Sequence, residues 1–269
     1  MSTVSKLQTT QVAEAFDSVA EIFEDSLENE ITRGLRQRTY SLIRSLVPAG
    51  ASVLDINCGI GIDAVALSQE GYRVIGVDIS PKMIQQALER ANKLRVKNVE
   101  FLLASFDDLS SFTGKTFDLV LSNFGGLNCV EDLDAFAKQA VLVTKPGGYF
   151  VGVVMPPVCL WEVISGLARL NLRTAFRRLK KNVPATGFRG KTFWVHYHSP
   201  RSFSSLFKPW FKSQGLCALN LITPPPHALA FAKRHSRLTK FLETVEPALR
   251  SLPLLRSIGD HYLIVLKKE

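Results

Sequence analysis

The sequence predicts an α/β fold built on a doubly wound, largely parallel sheet. In residues 51–83 an apolar run ends at Asp55, glycines follow at Gly59 and Gly61, and a second apolar run ends at Asp78. Strand, glycine turn, helix, strand and acid is the order of a nucleotide-binding βαβ unit. Strand and helix patterns keep alternating after this unit, which is typical of a parallel sheet covered by helices on both faces.

The length and composition indicate an ordinary globular protein. At 269 residues, with 46% hydrophobic and 21% charged residues, the chain can form one large domain with insertions or a domain with a small cap. Its four cysteines form no CxxC pair and no Cys/His cluster, so we predict neither a metal site nor a disulfide framework. The N-terminus lacks a basic-then-apolar leader pattern, and we expect a cytoplasmic location.

The charge is unevenly distributed along the chain. Residues 1–150 hold 14 basic and 19 acidic residues, whereas residues 151–269 hold 19 basic and five acidic ones, a net charge of +14. Such asymmetry indicates nucleic acid, an anionic membrane surface or an acidic substrate as the partner. A solvated basic face is the commoner explanation.

The chain divides into four predicted parts. Residues 1–47 form a helical lid, because apolar residues recur at three- and four-residue steps and predict a helix over 8–47. Residues 48–155 form the nucleotide-binding core. Residues 156–198 form a cap, and residues 199–269 complete the core with a helical insertion at 224–258.

The cap carries the candidate catalytic residues. Its first half predicts an amphipathic helix over 160–179 with arginines at four-residue steps, namely Arg169, Arg173 and Arg177. Its second half predicts a strand over 192–198, on which Trp194, His196 and His198 would share one face. The two histidines are the candidate general bases, and backbone hydrogen bonding at an exposed hairpin is their alternative role. We expect His227 and His261 to be structural.

Glycine spacing alone leaves the nucleotide open. Gly59-x-Gly61-x-x-Ala64 followed by Asp78 also fits the dinucleotide fingerprint. Four segments in order are more specific: Val53 to Gly61, Gly76 to Ser80, Phe117 to Val120, and Lys145-Pro146-Gly147-Gly148. On these residues the chain resembles the class I S-adenosylmethionine-dependent methyltransferases. The resemblance covers residues 50–155 and implies a Rossmann-like, mostly parallel seven-stranded sheet whose last strand is antiparallel.

The resemblance also implies which residues hold S-adenosylmethionine. Asp55 and the turn at Asn57, Gly59 and Gly61 would hold the methionine part, and Asp78 would accept hydrogen bonds from both ribose hydroxyls. The adenine and sulfonium would lie against a further set: Ile79, Met83, Ser105, Phe106, Asn123 and Phe124. Two positions depart from the family pattern, Asn57 where glycine is usual and Ser105 where an aspartate is common.

The sequence says less about the molecule that accepts the methyl group. Methyl transfer is a direct displacement that needs mainly alignment, and a base is needed only if the acceptor brings a proton into the reaction. An amino-group DNA or RNA methylase would be expected to carry an Asn-Pro-Pro-Tyr-like motif after the fourth strand, where this chain has Ser122-Asn123-Phe124-Gly125. The Pro-Cys nucleophile expected for methylation at cytosine C5 is absent too. By the resemblance, the variable segments that bind the acceptor lie after the fifth strand and between the last strands. Both carry apolar, aromatic and basic residues here, which favours a small, partly apolar and possibly acidic molecule as the methyl acceptor. The alternatives are a tRNA or rRNA methyltransferase using the basic half, and a catalytically silent binding protein.

Overall fold

The computed structural model describes residues 3–106, 108, 109, 112, 114–180 and 182–269. It contains nine strands in this part of the chain: β1 (Ser52–Ile56), β2 (Arg73–Asp78), β3 (Val99–Leu103), β4 (Phe117–Ser122), β5 (Thr144–Val154), β6 (Asn182–Phe188), β7 (Lys191–His196), β8 (Phe211–Leu219) and β9 (His261–Lys268).

Seven of these strands form one sheet in the order β3-β2-β1-β4-β5-β9-β8. The pairings from β3 through β5 are parallel, and β9 is antiparallel to both of its neighbours, β5 and β8. The predicted seven-stranded, mostly parallel sheet with an antiparallel last strand is therefore confirmed.

Helices cover both faces of this sheet. They are α1 (Thr3–Val19), α2 (Phe23–Leu27), α3 (Glu30–Leu46), α4 (Ile62–Gln69), α5 (Pro81–Lys93), α6 (Asp134–Val143), α7 (Leu160–Ala168), α8 (Leu172–Ala175), α9 (Pro200–Leu206), α10 (Leu229–Arg234) and α11 (Ser236–Leu249). Leu35, Ile43 and Ala87 belong to the apolar core on one face, and Phe136 and Phe203 belong to the core on the other. Among the described residues, no helix is long and apolar enough to cross a membrane.

The predicted continuous helix over 8–47 is wrong, because the segment breaks twice. A 3-10 turn over 20–22 separates α1 from α2, and Asn29 adopts an extended conformation before α3. The Asn29 side chain accepts hydrogen bonds from the backbone N–H groups of Ile31 and Thr32, so it caps a new helix start. These breaks give α1 and α3 separate positions: α1 lies over the carboxyl edge of the sheet, and α3 packs into the core.

The predicted long basic helix over 160–179 is also wrong. Its first helix, α7, ends at Ala168, Leu170 has a left-handed φ of 53°, and the Asn171 side chain caps α8. The resulting corner splits the arginine stripe, because Arg169 directly follows the end of α7 while Arg177 lies in a 3-10 turn beyond α8.

The strand predicted over 192–198 is one half of a hairpin formed by β6 and β7, and it ends at His196. Phe193 and Val195 pack under α1, whereas Trp194 is 45% exposed on the other side. The expectation that Trp194, His196 and His198 share a pocket-lining face is wrong, since His198 lies beyond the strand and Trp194 faces outward.

Candidate active site

The turn between β1 and α4 places its two glycines in different roles. Both have left-handed φ angles, 55° at Gly59 and 74° at Gly61. A Cβ on Gly61 would lie 2.8 Å from the Phe101 ring, so glycine is needed there for close packing of the turn on β3. A Cβ on Gly59 would meet nothing within 4 Å, because that side of the turn opens to a cavity. The backbone at Gly59 is thus the part that a ligand can approach.

Asn57 stands where glycine is usual, and its side chain bridges the end of β1 to the end of β4. Its φ is 53°, a left-handed value that asparagine tolerates better than most residues. Its Oδ1 accepts from the Ser122 hydroxyl at 2.9 Å, and its Nδ2 donates to the Asn123 carbonyl at 3.3 Å. A Cβ on Gly126 would lie 2.3 Å from Asn57 atoms, so Gly126 leaves room for this side chain. The ends of β1 and β4 are therefore joined at the cavity.

The Asp78 carboxylate is held by backbone donors from both sides. One oxygen accepts from Gly59 N at 2.8 Å and the other from Ser80 N at 2.9 Å. Burial raises the pKa of Asp78, and these backbone hydrogen bonds oppose that rise. Each carboxylate oxygen retains further acceptor capacity, so the pair suits two neighbouring hydroxyl groups.

A buried polar network absent from the sequence prediction lies beside this turn. Arg36 on α3 pairs with Asp63 on α4 and with Glu28, whose Oε1 is 2.6 Å from the guanidinium. Tyr40 donates to Asp63 at 2.6 Å, and the Asn123 side-chain amide donates to Asp63 at 3.2 Å. Burial lowers the pKa of Arg36, but the two carboxylates outweigh it and raise the pKa, so the group stays cationic.

One feature of the sequence could have predicted this network, namely a charged residue on the apolar side of a predicted helix. Arg36 follows Leu35 in the apolar stripe of α3 and is 8% exposed. Its guanidinium lies 4.4 Å from the centroid of the Phe124 ring. A strongly charged residue next to a core leucine predicts a buried partner, and the sequence contained no local pattern that pointed to Asp63.

Eight of the eleven predicted cofactor residues line one cavity at the carboxyl edge of the sheet. They are Asn57, Gly59, Asp78, Ile79, Ser105, Phe106, Asn123 and Phe124. Asp55, Gly61 and Met83 are not in the lining that the structure describes. Asp55 is 1% exposed, and burial raises its pKa well above the usual range. Met83 is fully buried with Val19 and Ile60, where it attaches α5 to the N-terminal segment.

The N-terminal segment forms the opposite wall of the cavity. Its contributions are Gln8, Thr9, Val12, Phe16, Phe23 and Arg36. Most of the lining is apolar, with Ile60, Ile62, Cys129 and Val130 added by other elements. Arg36 is the one basic residue in the described lining, and its charge is already matched by Glu28 and Asp63. The cavity therefore offers an apolar wall facing a polar edge.

Neither candidate base is in the described cavity lining. The Gln8 side-chain amide donates to the Cys129 carbonyl at 3.1 Å and lies 2.9 Å from His196 Nε2. Gln8 lines the cavity, so it separates His196 from the interior. His198 Nε2 lies 3.1 Å from the Val130 carbonyl, which makes this nitrogen the protonated one. Burial lowers the pKa of both histidines, so both are neutral near pH 7.

Comparison with known proteins decides the family. Residues 48–158 match the model of a methyltransferase domain. The demethylmenaquinone methyltransferase of Tropheryma whipplei (strain Twist) is 30% identical over 178 residues, which are 64% of this chain and 70% of that protein. The chain belongs to the class I S-adenosylmethionine-dependent methyltransferases. Its cofactor is S-adenosylmethionine.

Other methyltransferases share parts of the chain or its fold. The 2-methyl-6-phytyl-1,4-hydroquinone methyltransferase of Synechocystis sp. is 37% identical over 107 residues, 39% of this chain and 32% of that protein. A SAM-dependent methyltransferase from Methanosarcina mazei superposes with a TM-score of 0.58 at 20% identity, covering 85% of this chain and 97% of that one. A geranyl diphosphate C-methyltransferase from Streptomyces coelicolor A3(2) superposes with a TM-score of 0.57 at 18% identity, covering 89% of this chain and 81% of that one. At these identities the two structures show a shared fold.

Proposed function

We propose that this methyltransferase methylates a small, neutral and largely apolar acceptor with a hydroxylated aromatic ring, of the hydroquinone class. The observation that carries the proposal is the apolar wall that Val12, Phe16 and Phe23 place opposite the cofactor turn. An acidic acceptor is not favoured, because Arg36 is the one basic residue in the described lining and would be taken up by the carboxylate of the cofactor itself. The relatives from Tropheryma and Synechocystis act on demethylmenaquinone and a phytyl hydroquinone by name, which supports this class.

S-adenosylmethionine fits the residues at the polar edge of the cavity. The open side of Gly59 admits a ligand to the backbone, and the spare acceptor capacity of Asp78 suits the ribose diol. Ser105 and Phe106 would border the adenine, with Ile79 against its face. When bound, the cofactor supplies an activated methyl group for direct displacement.

The amino-acid end of the cofactor would meet the buried polar network. Arg36 is a donor for a carboxylate, and Asp63 is an acceptor for an ammonium group, so the pair can match a zwitterion. Asn123 donates to Asp63 and would hold that carboxylate in place. These roles add Arg36 and Asp63 to the predicted cofactor residues.

Alignment of the acceptor would be the main contribution of this chain to the rate. Gln8 faces the cavity and is held by His196 and Cys129, so we propose that His196 positions Gln8 against the acceptor. The roles of His196 and His198 as general bases stay predictions. The His196 ring contacts Gln8, the His198 ring contacts the Val130 carbonyl, and neither ring is in the described cavity lining. The four cysteines are free thiols, which supports the cytoplasmic location that we propose.

The proposal is tested by methyl transfer from radiolabelled S-adenosylmethionine. We expect label to pass to a hydroquinone with a short prenyl chain, giving a product one methyl group heavier by mass spectrometry. A carboxylated analogue of the same ring serves as the matched comparison and should react more slowly. Cofactor binding by calorimetry is measured in parallel. Binding without transfer to any neutral hydroquinone, together with transfer to a tRNA or rRNA transcript, would establish the RNA alternative.

A further inference from the structure

The corner formed by residues 160–180 exposes an unusual amount of apolar surface. Six of its large apolar side chains are between 44% and 92% exposed: Ile164, Leu167, Leu170, Leu172, Phe176 and Leu179. Single exposed apolar residues are normal on a protein surface, but a contiguous group marks an interaction site. Leu170 stands at the tip, where the chain turns with a left-handed φ, and is the most exposed of the six.

This corner is a rigid element with a well-packed inner side. A Cβ on Gly166 would lie 2.6 Å from Ala175 N, so α7 and α8 are in close contact. Glu162, on the inner side, accepts from Arg177 at 2.6 Å and from Arg178 at 2.7 Å. Arg178 also donates to Asp260 at 2.6 Å, which fastens the corner to the start of β9. The exposed side chains are therefore presented on a fixed framework.

The charges around the apolar side chains are all positive. Glu162 is the one acid in residues 160–180, and it is 3% exposed with its carboxylate bound by arginines. Arg169, Arg173 and Lys180 are exposed and pair with no acid that the structure describes. A face of this composition has leucines at its centre and unmatched cations beside them.

A second region with exposed apolar and basic side chains follows α10, which the corner contacts. Trp161 on α7 contacts Phe231 on α10 with ring centroids 5.2 Å apart. The next helix, α11, exposes Leu238 and Phe241 to 47% and 63%, and Arg237 beside them is exposed as well. Apolar and basic side chains are thus also exposed on α11, the helix that follows α10, together with one exposed acid, Glu243.

We infer that this face docks the protein on an anionic lipid bilayer. Leucine and phenylalanine side chains enter the boundary between headgroups and acyl chains, while arginine and lysine reach the anionic headgroups. Nucleic acid suits the face less well, because its exposed apolar residues are mainly leucines and offer little base stacking. The inference goes beyond methyl transfer and does not depend on it.

Vesicle sedimentation of the full chain tests this docking. We expect binding to phosphatidylcholine vesicles that contain phosphatidylglycerol, and at least about tenfold weaker binding to phosphatidylcholine alone. High salt should weaken the binding, because surface charges are screened.

Paired variants assign the binding to this face. The double variant Leu170→Ser/Leu172→Ser should bind anionic vesicles at least about tenfold more weakly, whereas Leu142→Ser, at a 67% exposed leucine on α6, should bind normally. Arg169→Glu/Arg173→Glu should lose binding as well, with Lys93→Glu/Lys97→Glu, at two exposed lysines, one ending α5 and one before the edge strand β3, as the charge-matched control. Unchanged cofactor affinity in all variants shows that they are folded.

Three results would overturn the inference. They are absence of binding to anionic vesicles, equal binding to both vesicle types, and corner variants that bind like the unmodified chain. Tight tRNA binding that the corner arginine variant abolishes, without vesicle binding, would assign the face to RNA instead.

Discussion

Asn57 illustrates how one side chain can change a familiar turn without removing its purpose. The left-handed backbone that glycine usually supplies is kept, and the side chain adds hydrogen bonds to Ser122 and Asn123. The turn is thereby tied to the end of β4 as well as to Asp78, which accepts from Gly59. A departure from the family pattern is in this case a bridge between two strand ends that border the cavity.

At the same scale, Asp78→Ala should weaken S-adenosylmethionine binding by about 1.5–3 kcal/mol, the range for hydrogen bonds to a charged group. Isothermal calorimetry measures the change. Asp118→Ala is the matched control: this carboxylate binds Ser52 and Lys145 near the start of β4 and is not in the described lining, so the dissociation constant should be unchanged. Equal effects of the two substitutions would refute the ribose role.

At the scale of elements, α1 forms a wall of the cavity and is held there by the β6–β7 hairpin. The Phe16 ring contacts the rings of Phe188 and Phe193 at centroid distances of 5.3 and 5.6 Å. The Ser80 hydroxyl, at the start of α5, donates to Asp17 on α1 at 2.5 Å. The start of α5 and the β6–β7 hairpin therefore both contact α1 directly, and the lid role of the N-terminal segment stays a prediction.

Phe188→Ala should loosen α1 without replacing any residue of the described cavity lining. Phe188 makes two ring contacts, to Phe16 and Phe193, and each aromatic pair contributes about 0.5–1.5 kcal/mol. We expect faster amide hydrogen exchange throughout α1 and faster release of S-adenosylmethionine in stopped-flow measurements. Phe241→Ala, at an exposed position on α11, is the control. Unchanged exchange in α1 would show that the hairpin does not hold the helix.

At the scale of the whole molecule, one buried charge network joins the cap to the sheet. Arg178 binds Glu162 on α7 and both the side chain and the carbonyl of Asp260 before β9. Burial raises the pKa of Asp260, but the charges of His261 and Arg178 outweigh it and hold the pKa far below its usual range. Cys159, Glu162 and Asp260 lie close enough together to hold a metal ion, yet the guanidinium already supplies the positive charge.

Arg178→Ala should therefore destabilise the protein by about 3–5 kcal/mol, because it leaves buried carboxylates without their partner. Arg44→Ala breaks an exposed pair with Glu70 and should cost less than about 1 kcal/mol. Urea unfolding gives both values. The two carboxyls have folded pKa values below their unfolded ones, so the network's contribution should be full near neutral pH and decline on acidification below about pH 4. Similar losses for both variants would contradict the network's role.

The sequence by itself determined the sheet and the cofactor, and eight of the eleven residues predicted to bind that cofactor line one cavity. These follow from local patterns, since a strand, a glycine turn and a terminal acid lie within about thirty residues and meet whatever the rest of the chain does. The helix breaks at 20–29 and 169–171 were missed, because apolar periodicity continues across a cap or a left-handed residue. Only the tertiary structure showed that Arg36 lines this cavity and that Gln8, which also lines it, contacts His196. Both depend on side chains from distant segments meeting at one edge, and no spacing along the chain encodes such a meeting.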